Sequence, residues 1–378
     1  MTSSSTSTPV REIESAGNPT RFARGWHCLG LVEQYRDGKP HQVKAFGTSI
    51  VVFDTSEGLK VLDGYCRHMG ANLAKGTIKG DSLACPFHDW RWGGNGRCTG
   101  IPYAKRVPVA AKTRSWPTME RNGQLFVWHD PQRSQPTEEV TIPEIEGWED
   151  GQWSDWSWQT FLVEGAHCRE MVDNVVDMAH FFYVHLVFPH YFRNVFEGHV
   201  ATQYMHSRSR PDIDPENSYG GEDSELRSEA SYFGPSYMIN PQQLEVGGKT
   251  VEAVLINSHY PIDSSSFLIN FGVATRREPG VDPEQARAVA DGLTQTLTYG
   301  FGQDVEIWRD KARIDNPLLT EQDGPVYQLR RWYEQFYVDV EDIEEDMTQR
   351  VEVEIDTEHA VGTWKREVEE NLAAMKGA

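Results

Sequence analysis

The sequence predicts an α+β protein, an all-β N-terminal domain followed by a larger domain that sets helices against a central antiparallel sheet. Three observations carry this. Before about residue 130 the apolar residues fall in short runs separated by Gly and charged turns, the spacing of strands. A polar, Pro-bearing stretch from Pro131 to Pro143 then breaks the pattern and marks a boundary. Beyond it, two long segments with few breakers, Cys168–His185 and Pro283–Arg313, read as helices, while Val251–His259 and Ser266–Ala274 read as paired strands.

Taken in order, residues 1–17 are rich in Ser and Thr and are expected to be a flexible leader. Gln42–Phe46, Ser49–Asp54 and Leu59–Asp63 follow as short antiparallel strands, and Leu125–Trp128 closes the first domain, so residues 18–135 form one unit and 136–378 the other. In the second unit residues 207–225 read as a loop, and Glu341–Asp346 and Thr363–Met375 as charged C-terminal helices. The acidic run near 339–358 reads as a solvated face, with docking of a basic redox partner as the sharper alternative. The 378 residues are enough for two cores, and 38% hydrophobic content with twelve Trp is a globular composition. A net charge of −21 argues against nucleic acid and anionic membranes as partners. No basic, apolar signal and no run of about 18 apolar residues is visible, so a soluble, cytoplasmic protein is expected.

Among five cysteines, two stand in a distinctive setting. Cys66-Arg67-His68 is followed, after sixteen residues, by Cys85-Pro86-Phe87-His88. Two Cys and two His suit tetrahedral zinc, but structural zinc sites usually group like ligands. Here each loop mixes a thiolate with an imidazole, which suits a two-iron cluster with Cys on one iron and His on the other. The stretch closely resembles the Rieske 2Fe–2S fingerprint. Replacing two thiolates by neutral imidazoles makes the cluster less negative and raises its potential. The three remaining cysteines suggest no disulfide framework.

A second constellation lies at Asp173-Asn174-Val175-Val176-Asp177-Met178-Ala179-His180-Phe181-Phe182-Tyr183-Val184-His185. Ionisable groups in so apolar a segment are costly unless paired or metal-bound. Two His and a carboxylate can hold Fe(II) and leave positions open for O₂. His180 and His185, five apart, would point about 140° from one another on a regular helix, so a π-bulge or helix break is expected between them. Two ordinary buried histidines are the competing reading, and the Rieske motif upstream tips the balance against it. The carboxylate comes from elsewhere: Asp304, mid-helix between apolar residues with Gly300 and Gly302 nearby, or Glu306 with its longer arm. His167, His190, His199 and His259 have no such context.

Together the two motifs resemble the α subunits of Rieske non-haem iron oxygenases over the chain from residue 18 onward. Cys85–Trp92, Ile101-Pro102-Tyr103 and segment 171–192 are similar to the ketosteroid 9α-hydroxylating branch of that family. Asp89 departs from the Gly common there, without affecting the ligands. The resemblance implies a Rieske domain followed by a helix-grip catalytic domain, with His180, His185 and Asp304 on a mononuclear Fe(II). It implies O₂ as co-substrate and NADH electrons arriving through a separate flavin and iron–sulfur reductase. It also implies Asp177 as the carboxylate that bridges His180 to the Rieske histidine matching His88 of a neighbouring subunit, hence a head-to-tail homotrimer. The substrate implied is a 3-ketosteroid, in steroid or cholesterol breakdown.

Helix and strand phase suggests the pocket. Phe301 and Trp308 share a face with Asp304, and Val176 lies four before His180. Asn257 shares parity with Val251, Ala253 and Leu255, and Tyr232, Met238 and Asn240 are added on placement alone. Such a pocket, apolar with one or two amides, fits a rigid polycyclic ketone. Two alternatives compete: a Rieske oxygenase of another substrate (an aromatic ring hydroxylase or an O- or N-demethylase), and a non-catalytic Rieske electron carrier or zinc scaffold.

Overall fold

A computed structural model describes residues 9–17, 19–213, 224–246, 248–278 and 280–377. Its chain divides into two compact units. One spans Pro19–Ile145 and takes in the hairpin tip His259–Ser264, and the other comprises Glu146–Ser258 and Ser265 onward, together with residues 9–17.

The first unit is all strand, apart from two short 3₁₀ turns. Strands Ser115–Trp116, Lys60–Asp63, Thr48–Phe53 and His41–Ala45 form one antiparallel sheet, and Thr118–Arg121, Gln124–His129 and Gly25–Leu31 a second. Ile50, Val51, Val52, Phe53, Leu125, Phe126 and Val127 are all fully buried. Unbroken apolar runs, rather than alternating ones, are what strands covered on both faces require. A third sheet, Thr77–Lys79, Ser82–Ala84, Arg91–Gly93 and Cys98–Gly100, is small and lies between and after the two Cys/His loops.

The second unit is built on one eight-stranded antiparallel sheet. Its strands run in the order Ser157–Glu164, Ser266–Thr275, Lys249–Asp263, Tyr237–Val246, Glu225–Phe233, Val200–Ser209, Val187–Glu197 and Val351–Glu354. The helix Pro283–Asp310 packs on the first two of these strands. Asp282 caps it by accepting from the amides of Glu284 and Gln285 at 2.8 and 3.2 Å, and Pro283 fills the first turn. Its buried residues Ala286, Ala290, Thr294, Leu297, Phe301, Asp304 and Trp308 recur every three or four positions, the stripe of a helix laid on a sheet. Asp304 is the one carboxylate in that stripe.

Several expectations are corrected. The leader is tied down where it is described: Glu12–Ile13 pairs in parallel with Arg313–Ile314, while residues 1–8 lie outside the described residues. Of the expected loop, Ser207–Ser209 complete one strand and Glu225 begins the next, and 214–223 lie outside the described residues. Glu341–Asp346 forms two 3₁₀ turns, Val340–Asp342 and Glu345–Met347, instead of a helix. Its carboxylates are recruited from outside, Glu344 and Asp346 both binding Arg331. Thr363–Met375 falls within the helix Glu358–Gly377.

Candidate metal centres and substrate cavity

The first centre is made by two loops of the same form. The Gly70 amide donates to the Cys66 carbonyl at 2.9 Å, and the Asp89 amide donates to the Cys85 carbonyl at 3.0 Å. Each loop turns through a left-handed residue, Gly70 at φ +76° and Asp89 at φ +54°. Glycine adopts that conformation without cost, whereas an Asp pays roughly 1 kcal/mol. Here Asp89 is held by Lys79 at 2.7 Å and Arg91 at 3.2 Å, which offsets the strain. The four side chains converge: Cys66 and Cys85 are buried, and the His68 and His88 rings lie 4.8 Å apart. Trp90 stacks on His68 at 4.5 Å. The Nδ1 atoms of both histidines are buried without a hydrogen-bond partner. Burial, together with the Cys85 thiol, pushes the Cys66 thiol above its usual range, although hydrogen bonds oppose it. Two thiols and two imidazole nitrogens left unsatisfied in one pocket fit a cationic iron cluster, whose charge draws off the thiol protons.

The second centre is assembled from distant segments. Cys168–His185 is not one helix: Arg169–Val172 gives way to a 3₁₀ turn, Asp173–Val176, then extended Asp177, then a short helix, Ala179–Tyr183. The break expected between the histidines is present. The amides of Val184 and His185 both donate to the His180 carbonyl, at 2.7 and 3.3 Å, and Leu186 at φ +57° turns the chain into the next strand. This unwinding brings His180, His185 and Asp304 together, with one donor atom from each within 4.8 Å of the others. His185 Nε2 lies 3.1 Å from Asp304 Oδ2. The His180 Nδ1–H donates to the Asp177 carbonyl, which leaves Nε2 as its unprotonated nitrogen. Glu306, the competing carboxylate, is exposed and binds Arg309.

The surroundings hold this geometry. Arg330 grips Asp173 at 2.7 and 3.2 Å, and Asn194 and Gln203 both donate to the Val175 carbonyl, at 2.8 and 2.9 Å. Gly300 faces His185: a Cβ there would sit 3.0 Å from its Nδ1. Burial disfavours a charge on His180, but Asp177 and Asp304 more than compensate and raise its basicity. Burial likewise opposes the Asp177 charge, and hydrogen bonds with His180 hold its carboxyl below the usual range. A site that favours positive charge and gathers two imidazoles with a carboxylate fits a divalent iron.

The three residues open on a cavity of about 110 Å³ between the long helix and the sheet. Six of the seven expected pocket residues line it: Tyr232, Met238, Asn240, Asn257, Phe301 and Trp308. Val176 does not. It is fully buried, with its carbonyl against Gly324, and Val175 lines the cavity instead. The i, i+4 relation to His180 fails because Asp177 is extended and no helix joins the two. Phase reasoning also missed Asn174, which lines the cavity and donates to Asp304 Oδ1 at 3.3 Å. It missed Gln203, Ser228 and Gln242 on the sheet wall as well. Their inward parity on polar strands was the available signal.

Residues 127–337 match the family description 3-ketosteroid 9α-hydroxylase C-terminal domain, and residues 25–113 match the Rieske [2Fe–2S] domain. A 3-ketosteroid-9-alpha-monooxygenase oxygenase component of Rhodococcus rhodochrous is 61% identical over 96% of this chain and 94% of its own. Its namesake from Mycobacterium tuberculosis is 55% identical over 100% and 97%. The chain belongs to the 3-ketosteroid 9α-hydroxylase oxygenase family. Its N-terminal unit is therefore a Rieske domain and its C-terminal unit the family's catalytic domain. Among solved structures, Pseudomonas putida NdmA with caffeine covers 89% of this chain and 97% of its own with a TM-score of 0.67 at 17% identity, a likeness of fold. No helix among the described residues is long and apolar enough to cross a membrane.

Proposed function

We propose that the protein is the oxygenase component of a two-component Rieske monooxygenase that hydroxylates 3-ketosteroids at the 9α carbon, in the degradation of steroids such as cholesterol. The observation that carries this is the His180/His185/Asp304 triad opening on a cavity with apolar walls and a few inward amides. An electron carrier needs neither. Cys66, His68, Cys85 and His88 hold the 2Fe–2S cluster, and His180, His185 and Asp304 hold Fe(II). When bound, the cluster supplies single electrons and the ferrous ion activates O₂.

The chain's own residues do the rest. Phe301, Trp308, Phe271 and Leu297 form a dry aromatic and aliphatic wall for a rigid polycycle. Asn240 and Asn257 are diagonal neighbours on adjacent strands, since Asn240 pairs with Leu255 and Asn257 with Met238. Their buried side-chain carbonyls have no partner, and their amide groups orient a ketone at this wall. Asp177, beside His180 and 44% exposed at its side chain, is available to the partner subunit's His88. That bridge requires a head-to-tail ring, and the smallest one consistent with the family is a homotrimer. NADH electrons arrive from a flavin and iron–sulfur reductase in the cytoplasm.

The test is an oxygen-uptake screen with NADH and reductase across ketosteroids and aromatic acids, with the product identified by mass and NMR. Coupled uptake yielding a 9α-hydroxysteroid is expected. Asn257→Leu should raise KM about tenfold, the worth of one lost hydrogen bond, without loss of iron. Uptake with aromatic acids alone overturns the substrate and leaves the metal assignments standing.

A further inference from the structure

Charge is divided unequally along this acidic chain. Residues 19–145 carry seventeen Lys and Arg against twelve Asp and Glu, although the whole chain carries 36 against 57. The excess is concentrated at the cluster: between Lys60 and Arg114 ten cations face three carboxylates. One of those carboxylates, Asp89, is spent on Lys79 and Arg91.

A groove lies beside the first Cys/His loop, lined among others by Arg67, Lys112, Arg114, Arg133, Asp63 and Asp130. Its two acids are turned to internal duties. Asp63 accepts from the Trp116 indole at 3.0 Å, and Asp130 accepts from the amides of Gln132 and Ser134, both at 3.0 Å. Arg114 lies over the Trp116 ring at 3.5 Å. Arg67, Lys112 and Arg133 are exposed, and among the described residues none of them has an ion-pair partner. The same holds for Arg97, Lys105 and Arg106 on the adjoining segment, which also exposes Tyr103 at 64% and Val109 at 99%. Elsewhere arginines find partners on the acidic C-terminal stretch, as the half-buried Arg331 and the exposed Arg350 do. Long unpaired cations around scattered apolar side chains have the make-up of an interface rim and its contact patch.

We propose that this groove and the segment 97–112 are the docking surface for the electron donor, and that the donor meets it with an acidic face. Arg67 stands between two cluster-binding residues, so a donor seated there is within a few residues of Cys66 and His68. The inference rests on the oxygenase reading only for the need of a donor. A second copy of this chain is the competing occupant, since its catalytic unit is also acidic.

The test compares the wild type with the double variant Lys112→Glu, Arg133→Glu, which leaves every cluster ligand and its neighbours in place. Photoreduced plant-type [2Fe–2S] ferredoxin, an acidic one-electron donor, is mixed with oxidised protein, and cluster reduction is followed by its absorbance. For the wild type, transfer falls steeply with added salt; the double variant loses at least about tenfold at low salt and most of that salt dependence. Reduction by dithionite, the oligomeric state and single-turnover product formation from the dithionite-reduced protein stay unchanged. The proposal is overturned if the variant accepts ferredoxin electrons at the wild-type rate, or if the wild type shows no salt dependence. A changed oligomeric state also overturns it and assigns the surface to contacts between copies. Failure of the dithionite-reduced wild type to form product would instead strike the oxygenase reading.

Discussion

The two candidate metal centres of this chain are built in opposite ways. The candidate Rieske ligands all fall between Cys66 and His88, on two loops closed by the same backbone hydrogen bond and turned by a left-handed residue. The mononuclear site draws His180 and His185 from a broken helix and Asp304 from another helix far along the chain. A local site survives as long as its loops do. A distributed site depends on everything that fixes the two helices, including the Arg330–Asp173 clamp and the side-chain-free space at Gly300.

That contrast is sharpest if the sites are removed one at a time. Asp304→Ala should empty the mononuclear site and lower hydroxylation by at least about a thousandfold, because among the described residues only Asp304 brings a carboxylate into one group with both histidines. The protein should keep its red-brown colour, two acid-labile sulfides and about two irons per chain, read by metal and sulfide analysis. Loss of colour in that variant would mean that the two centres are not independent. Asp177→Asn addresses the link between them. Both metals should remain, while steady-state hydroxylation falls about 10–100-fold, the range for a lost carboxylate partner of a metal-bound His. Full activity would remove the bridge.

The smallest effect concerns the N-terminal unit alone. His27 Nε2 and His129 Nδ1 both lie 3.1 Å from the carbonyl of Ala23, in a core where each packs against Phe46. Burial brings His27 down to about 4 and His129 down to about 3, the latter helped by its neighbour His27. Between those values and 6.5 the unfolded chain binds more protons than the folded one, so stability is full above about pH 6.5 and is lost as pH falls toward 3–4. His129→Gln should flatten that acid limb by roughly 1 kcal/mol per pH unit at most, measured by urea titration from pH 7 to 5. An unchanged limb would place the acid sensitivity elsewhere.

How much was legible beforehand follows the same division. The Cys/His loops were readable because their ligands are neighbours in sequence and their spacing is itself the chemistry. Four apolar strands of the first unit and the long helix to Asp310 were readable from apolar spacing and an Asp-Pro start, whereas the small polar sheet around the Cys/His loops was not. The pair His180 and His185 was readable only as a contradiction, five residues that do not share a helical face, and the structure resolves it by ending the helix at Tyr183. Val176 was misplaced because phase was carried across Asp177, where the backbone is extended.

By itself the sequence pointed to the candidate cluster ligands, the strand-rich and mixed halves, and the residues able to bind a second iron. Tertiary structure alone decided that Glu306 turns away to Arg309 while Asp304 meets both histidines, that Asn174 reaches Asp304, and that Gln203, Ser228 and Gln242 share the cavity with the expected amides. The physical reason is range. Spacing and propensity act over a few residues, whereas a site closed by segments some 120 residues apart exists only once the helix Pro283–Asp310 has buried its apolar stripe on the sheet.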